Sequence, residues 1–357
     1  MKNLLINIAK YSIGAGLGVF LLWLAFTGVD VDDLVSRLKN AHYNWILYTI
    51  PVVLLSHFLR AWRWKLLMEA SGYSPSTLRT FSSVLVGYLV NQAIPRGGEV
   101  ARCTMLYRAS KVPLSVSMGT VLIERVFDVI VLLLFVVFFL FMETDRLMSF
   151  FNEKSGLVFD KFAGMGLAAI IIAGLIPVIG ILAFRFFWKK LKSGPLFSKI
   201  SGFLAQMLNG AKSIFRLKSP ALFLALTASI WGCYGIMTWM SFFCLDGSSG
   251  FSLYFAFVLM IMGGIGMTLP APGGIGPYHA AIKFTVVAFY AAELGTEAME
   301  QLGITLGTIM QASQLVMLIV VGFVAWIYLS FSAPENSADA ETLAREENER
   351  LNAGLEK

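Results

Sequence analysis

Apolar residues in this chain gather in long runs, at roughly 4–26, 43–59, 116–142, 162–184, 220–244, 251–270, 279–293 and 303–330. A bilayer core takes about 20 residues of α-helix, so the runs predict an all-α polytopic membrane protein with about six to eight crossings. The run 81–94 is apolar but short for a crossing. The longest polar pieces are 185–218 and 331–357, so one transmembrane domain is expected over 1–330. The tail 331–357 reads as a charged cytoplasmic segment, either a short helix or a disordered end. The first run follows Lys2, contains Lys10 and has no clean small-x-small site after it. It reads as an uncleaved first span.

Composition agrees with lipid as the solvent. Of 357 residues, 57% are hydrophobic and 14% charged, and mean hydropathy is +0.73. Soluble domains carry about 25% charged residues. Cys103, Cys233 and Cys244 are too few and too scattered for a disulfide framework or a zinc site. The sequence holds no P-loop, HExxH or nucleophile elbow, so neither a metal nor another cofactor is expected, and no nucleic-acid partner. The GAGLG at 14–18 lies within an apolar run, where small residues serve close packing.

Charge gives an orientation, because Lys and Arg gather in cytoplasmic loops. Segment 185–218 carries eight basic residues and no acid, and 60–79 carries Arg60, Arg63, Lys65 and Arg79 against Glu69. Both read as inside. Segment 27–42, with Asp30, Asp32 and Asp33, and segment 293–300, with Glu293, Glu297 and Glu300, read as outside. A full crossing by 81–94 would put Arg96, Arg102, Arg108 and Lys111 outside. A re-entrant hairpin keeps every basic cluster inside. It enters along about 77–94, turns at Pro95–Gly98 and leaves along about 99–111. Irregular backbone at that depth is tolerated only where protein or a water-filled cavity satisfies it. The tip should therefore line a cavity.

This stretch, NQAIPRGGEVAR, has a twin in TLPAPGGIGPYHA at 268–280, where Gly273–Gly274 follow Gly97–Gly98 by 176 residues. Each half, about 1–142 and 162–330, reads as span, span, broken hairpin, span. Three crossings per half invert the second half relative to the first. Paired interrupted segments in corresponding positions point to a site near the midplane. Chance coincidence of two Pro-Gly kinks in a chain with 32 Gly is the competing reading. The second hairpin also reads as two full crossings, and parity leaves both termini cytoplasmic either way.

Span 116–142 contains ERVFD, with Glu124 and Asp128 on one helix face and Arg125 rotated from it by about 100°. Charges at that depth cost several kcal/mol unless paired or wetted. Arg96 and Arg102 are natural partners. Two readings stand for Glu99, Arg102, Glu124, Arg125 and Asp128: a network pinning the hairpin to the next helix, or a subset facing a ligand. Arg96 at the tip suits a phosphate through its planar fork of donors, helped by the helix N-terminus behind it. At the second tip, Gly273 to Gly276, Tyr278, His279 and Lys283 are available. His279 reads as a packed side chain or a proton relay, and Lys283 could neutralise an anion. In FLRAWRWKLLME, 58–69, the tryptophans and cations read as an interfacial belt suited to anionic headgroups, with His57 at the same interface.

Together, FLRAWRWKLLME, GYLVNQAIPRGGEVARCTMLYR, ERVFD and PAPGGIGPYHAA resemble the lysylphosphatidylglycerol synthase transmembrane-region family over about 1–330. The resemblance implies a bacterial inner-membrane protein of flippase type. It places Arg96, Gly97, Gly98, Glu99, Arg102, Glu124, Arg125, Asp128 and the turn Pro272, Gly273, Gly274 and Gly276 at the central site. In relatives, a separate C-terminal domain attaches the amino acid, so aminoacyl transfer by this chain alone is not expected. The leading expectation is a translocase for an anionic phospholipid, aminoacyl-phospholipid or lipid-linked intermediate. Alternatives are a membrane-embedded transferase using Glu124 or Asp128 as base, and an accessory subunit that binds a cytoplasmic lipid-modifying enzyme through 185–218. A homo-oligomer is left open.

Overall fold

The computed structural model describes residues 30–94, 97–143, 207–208, 212–269, 271 and 274–334. The expected spans 4–26 and 162–184, most of the basic segment 185–218 and most of the tail lie outside these residues. The described chain is all-α: α1 (Val31–Lys39), α2 (Asn44–Glu69), α3 (Thr77–Ala93), α4 (Gly97–Ser110), α5 (Leu114–Met142), α6 (Pro220–Phe242), α7 (Leu253–Thr268), α8 (Pro277–Leu294) and α9 (Thr296–Phe331). Two short 3-10 turns, Lys212–Arg216 and Asp246–Ser248, lie at the two ends of α6.

Local chemistry starts several of these helices. The Asp30 carboxylate accepts from the amides of Asp32 and Asp33 and caps α1. Ser76 and Ser252 cap α3 and α7 in the same way. Pro220 and Pro277 open α6 and α8, where a missing N–H costs nothing. Gly276, at φ 94°, supplies the left-handed turn into α8 that a β-carbon would strain.

Four helices, α2, α5, α6 and α9, are long and apolar enough to cross a membrane. The chain is a multi-pass membrane protein. Along the outer half of α5, Leu133, Leu134, Val137, Phe138 and Phe141 stay exposed, as a lipid-facing surface requires. The hairpins α3–α4 and α7–α8 fall between crossing helices in each half. One boundary differs from expectation. The apolar run 43–59 ends early, but α2 continues unbroken to Glu69. Its last turns therefore carry Arg60, Arg63 and Trp64 inside the bundle rather than onto its rim.

The two halves share one register. Asn44 and Pro220, which open α2 and α6, stand 176 residues apart, as do Thr77 and Leu253, which open α3 and α7. The equivalent helices α2 and α6 pack together and run antiparallel. The His42 amide donates to the Cys244 carbonyl, and Trp45 stacks on Phe243 at 4.7 Å. At the other end Arg60 reaches Tyr234 and Arg63 reaches Thr227. Antiparallel equivalents are what an inverted repeat requires. The hairpins match in detail. A β-carbon at Gly87 would stand 3.0 Å from the Arg102 β-carbon, and one at Gly263 would stand 2.7 Å from the Tyr278 ring. Gly87 and Gly263 occupy the same repeat position, and so do Arg102 and Tyr278. Each hairpin thus closes by seating a large side chain on a glycine of the opposite arm.

Candidate functional site

The first half buries a compact cluster of charge. Glu124 is wholly buried on α5. Its Oε1 accepts from Arg60 at 3.1 Å and Arg63 at 3.2 Å, and its Oε2 accepts from Arg102 at 2.8 Å. One turn further, Asp128 accepts from Arg60 at 2.9 Å and from Arg63 at 2.7 Å. The i, i+4 acids of α5 therefore meet the i, i+3 arginines of α2 face to face. The spare donors also find partners: Arg60 Nη2 on the Tyr234 hydroxyl and Arg63 Nη1 on Thr227 Oγ1, each at 3.1 Å. Trp64 braces the group from below. Its indole N–H donates to Thr120 at 2.9 Å, and the Arg102 guanidinium lies 4.7 Å over its ring.

The cluster sits deep. Glu124 is ten residues into α5 and Arg60 nine residues before the end of α2, roughly 15 Å and 13 Å along the helices. Both distances approach the middle of a bilayer core about 30 Å thick. At that depth an unpaired charge costs several kcal/mol, which explains the density of partners.

The hairpin tip adds a second layer. Arg125, rotated off the Glu124 face, pairs with Glu99 on α4 at 3.1 Å. The Asn91 side chain accepts from the Gly98 amide at 2.7 Å and ties the two arms together. Gly98 must be bare, because a β-carbon there would stand 2.1 Å from the Gly87 carbonyl oxygen. A small cleft, with enclosed room of about 10 Å3, enough for about one water, opens between Val84, Gly87, Tyr88, Asn91, Gly98, Glu99, Arg102 and Arg125. Several buried polar atoms at or behind it have no partner among the described residues: Nε of Arg60, Arg63, Arg102 and Arg125, and Oε2 of Glu99.

The structure thus joins Gly98, Glu99, Arg102, Glu124, Arg125 and Asp128 in one assembly, with Gly97 opening α4 beside them. Arg96, Pro272 and Gly273 lie outside the described residues. Gly274, Gly276, His279 and Lys283 belong to the second hairpin. His279 and Lys283 are buried on α8, and Lys283 Nζ lies 3.6 Å from Glu300 on α9. That pair shares no residue with the first cluster.

Three residues of the cluster are corrections to the sequence reading. Arg60, Arg63 and Trp64 are buried, not interfacial, while Phe58 and Trp62 of that stretch keep exposed rings. His57 is also buried, its ring tilted 38° against Tyr88 with centroids 4.4 Å apart. The signal for Arg60 and Arg63 was present. Two acids in an apolar span need cations, and a pair of arginines at i, i+3 on a neighbouring helix supplies them.

Sequence comparison accords with this architecture. The family model for the lysylphosphatidylglycerol synthase transmembrane region matches residues 8–322. A UPF0104 membrane protein of Methanocaldococcus jannaschii is 26% identical over 136 residues, which is 37% of this chain and 40% of that relative. No solved structure matches. The match covers nearly the whole membrane region, and the chain belongs to the lysylphosphatidylglycerol synthase transmembrane-region family.

Proposed function

We propose that this chain is a lipid translocase that moves an anionic phospholipid, an aminoacyl-phospholipid or a lipid-linked intermediate between leaflets. The observation that carries this reading is the charge balance at the first hairpin. Four arginines, Arg60, Arg63, Arg102 and Arg125, face three acids, Glu99, Glu124 and Asp128. Among the described residues one positive charge is left over near the midplane, beside a cleft and the N-terminus of α4. An anionic headgroup supplies the missing charge, accepting from guanidinium N–H groups of Arg102 and Arg125. Arg96, next in sequence to Gly97, is a further phosphate contact in this reading. Acyl tails stay in the bilayer.

Glu124 and Asp128 are already committed to arginine donors. That favours a binding role for the cluster over a carboxylate base in a transferase. The sequence has no P-loop, so movement is downhill or ion-coupled. The setting proposed is a bacterial inner membrane with both termini cytoplasmic, alongside a cytoplasmic lipid-modifying enzyme.

The test is translocation in reconstituted vesicles carrying fluorescent short-chain phosphatidylglycerol, read by quenching of the outer leaflet. The wild-type chain should expose inner-leaflet probe faster than protein-free vesicles. Arg102→Gln should slow it about tenfold or more, since a charge-assisted contact contributes about 1.5–3 kcal/mol. Wild-type rates equal to protein-free vesicles would overturn the reading.

A further inference from the structure

The three acids of the first cluster are held unequally. Glu124 accepts from Arg60, Arg63 and Arg102, and Asp128 from Arg60 and Arg63, at distances between 2.7 and 3.2 Å. Among the described residues Glu99 has a single partner, Arg125. Its Oε1 lies 3.1 Å from Arg125 Nη2, and no described group bonds its buried Oε2. A buried oxygen left open keeps the cost of losing water and gains nothing back. The first turn of α4 favours a negative group at Glu99, but that field gives the open oxygen no donor. Arg125 is held as loosely. Its side chain is 41% exposed, and its next acid, Asp128, is 3.9 Å away.

This loose pair lines the cleft together with Arg102, and the cleft has room for about one water. A phosphate group is larger than a water, so a wall must give before one can rest on both arginines. Gly87 and Gly98 are closed backbone against backbone, and Arg102 is held by Glu124 and by the Trp64 ring. Glu99 is the wall free to give, with its side chain 27% exposed. To a guanidinium, a carboxylate and a phosphate present the same pair of anionic oxygens. The second half has Ile275 and Gln301 at the repeat positions of Glu99 and Arg125, 176 residues on. The arrangement therefore belongs to the first hairpin alone.

We infer that Glu99 is the resident counter-ion of the anion site: its carboxylate holds Arg125 while the site is empty, and an arriving oxyanion displaces it. The ligand class is an oxyanion that takes Arg125 and the open Nε of Arg102 together. Such a site competes with itself. Binding is weakened, because the newcomer must evict an acid, and release is eased, because that acid returns. The exchange also selects, since an anion that reaches only one of the two arginines leaves Glu99 in place. That the oxyanion is a lipid headgroup rests on the translocase reading, whereas the exchange itself does not.

The test is thermal unfolding of the full chain in detergent, with sodium formate, sodium phosphate or dihexanoyl phosphatidylglycerol each compared with sodium chloride at equal ionic strength. Wild type sets the general effect of each salt. Glu99→Ala vacates the carboxylate, and formate should take its place. The unfolding temperature should then rise by about 2 °C or more beyond the wild-type shift. Adding Arg125→Gln should abolish that rise. Glu99→Gln keeps the bulk and removes the competing charge. The ligand concentration giving half of the full stabilisation should fall about tenfold or more from wild type, because like charges oppose each other across a site. Where the lipid acts, the oxyanion is a headgroup. Where phosphate alone acts, the exchange stands and the translocase reading loses its carrying observation. No formate-specific rise in Glu99→Ala would overturn the inference. So would a half-point in Glu99→Gln no lower than wild type for both lipid and phosphate. Should Glu99→Ala fold poorly, the half-points of Glu99→Gln decide alone.

Discussion

Glu124 holds three arginines through two oxygens, so its removal does more than delete one pair. Glu124→Ala leaves Arg60, Arg63 and Arg102 facing one another with only Asp128 between them. Breaking a buried pair from one side costs about 3–5 kcal/mol. Thermal unfolding of the purified protein in detergent should show that loss. Tyr234→Phe removes only a neutral partner of Arg60 and should cost about 1 kcal/mol. The acids and Arg102 were legible in the sequence because charge inside an apolar run is conspicuous. Arg60 and Arg63 were not, because they follow their apolar run and read as its interfacial collar. A run of apolar residues measures how much of a helix faces lipid. It does not measure where the helix ends when its last turns pair their charges inward.

The hairpins are held by close approach, and their sensitivity to bulk follows from that. Gly98→Ala forces a methyl group against the Gly87 carbonyl, backbone against backbone, with no flexible side chain to yield. It should splay α3 from α4, lower the unfolding temperature and open the Arg102–Glu124 contact. Gly232→Ala, on α6 with nothing within 4 Å of the added carbon, is the matched control and should be near neutral. Glycine pairs at both tips and their 176-residue spacing could be read from the sequence. Gly87 and Gly263 could not, since each lies within an apolar stretch that gives no sign of what crosses it. Their role appears only when the opposing arm is in place, with Arg102 on one and Tyr278 on the other. The same limit hid the start of α9, which begins at Thr296, ahead of the apolar run expected from 303.

At the scale of the molecule, antiparallel α2 and α6 put the two ends of the bundle on opposite sides of the bilayer. The 3-10 turn Lys212–Arg216 exposes Phe215 at 89% and belongs to the basic end, while the Asp246 side chain is 95% exposed at the other. Cysteines at 215 and 246 should therefore label from opposite faces, position 215 from the cytoplasm. Labelling of both from one face would contradict the crossing of α6. The four described crossing helices and the two hairpins between them were legible because lipid demands long apolar runs and irregular backbone stands out among them. The pairing of helices across the repeat was not, since apolar faces suit lipid and protein alike.

The unmatched positive charge of the first cluster has an electrical consequence. In the translocase reading, the described groups of the empty site carry one net positive charge, Arg96 adds to it, and a bound monoanion lowers the total by one. Moving an elementary charge through the whole membrane field is worth about 2.3 kcal/mol per 100 mV, and from the midplane roughly half of that. In that reading voltage acts more strongly on the empty site than on the loaded one. If the cluster shifts within the field during translocation, the return of the unloaded protein is the step that a membrane potential hastens or holds back.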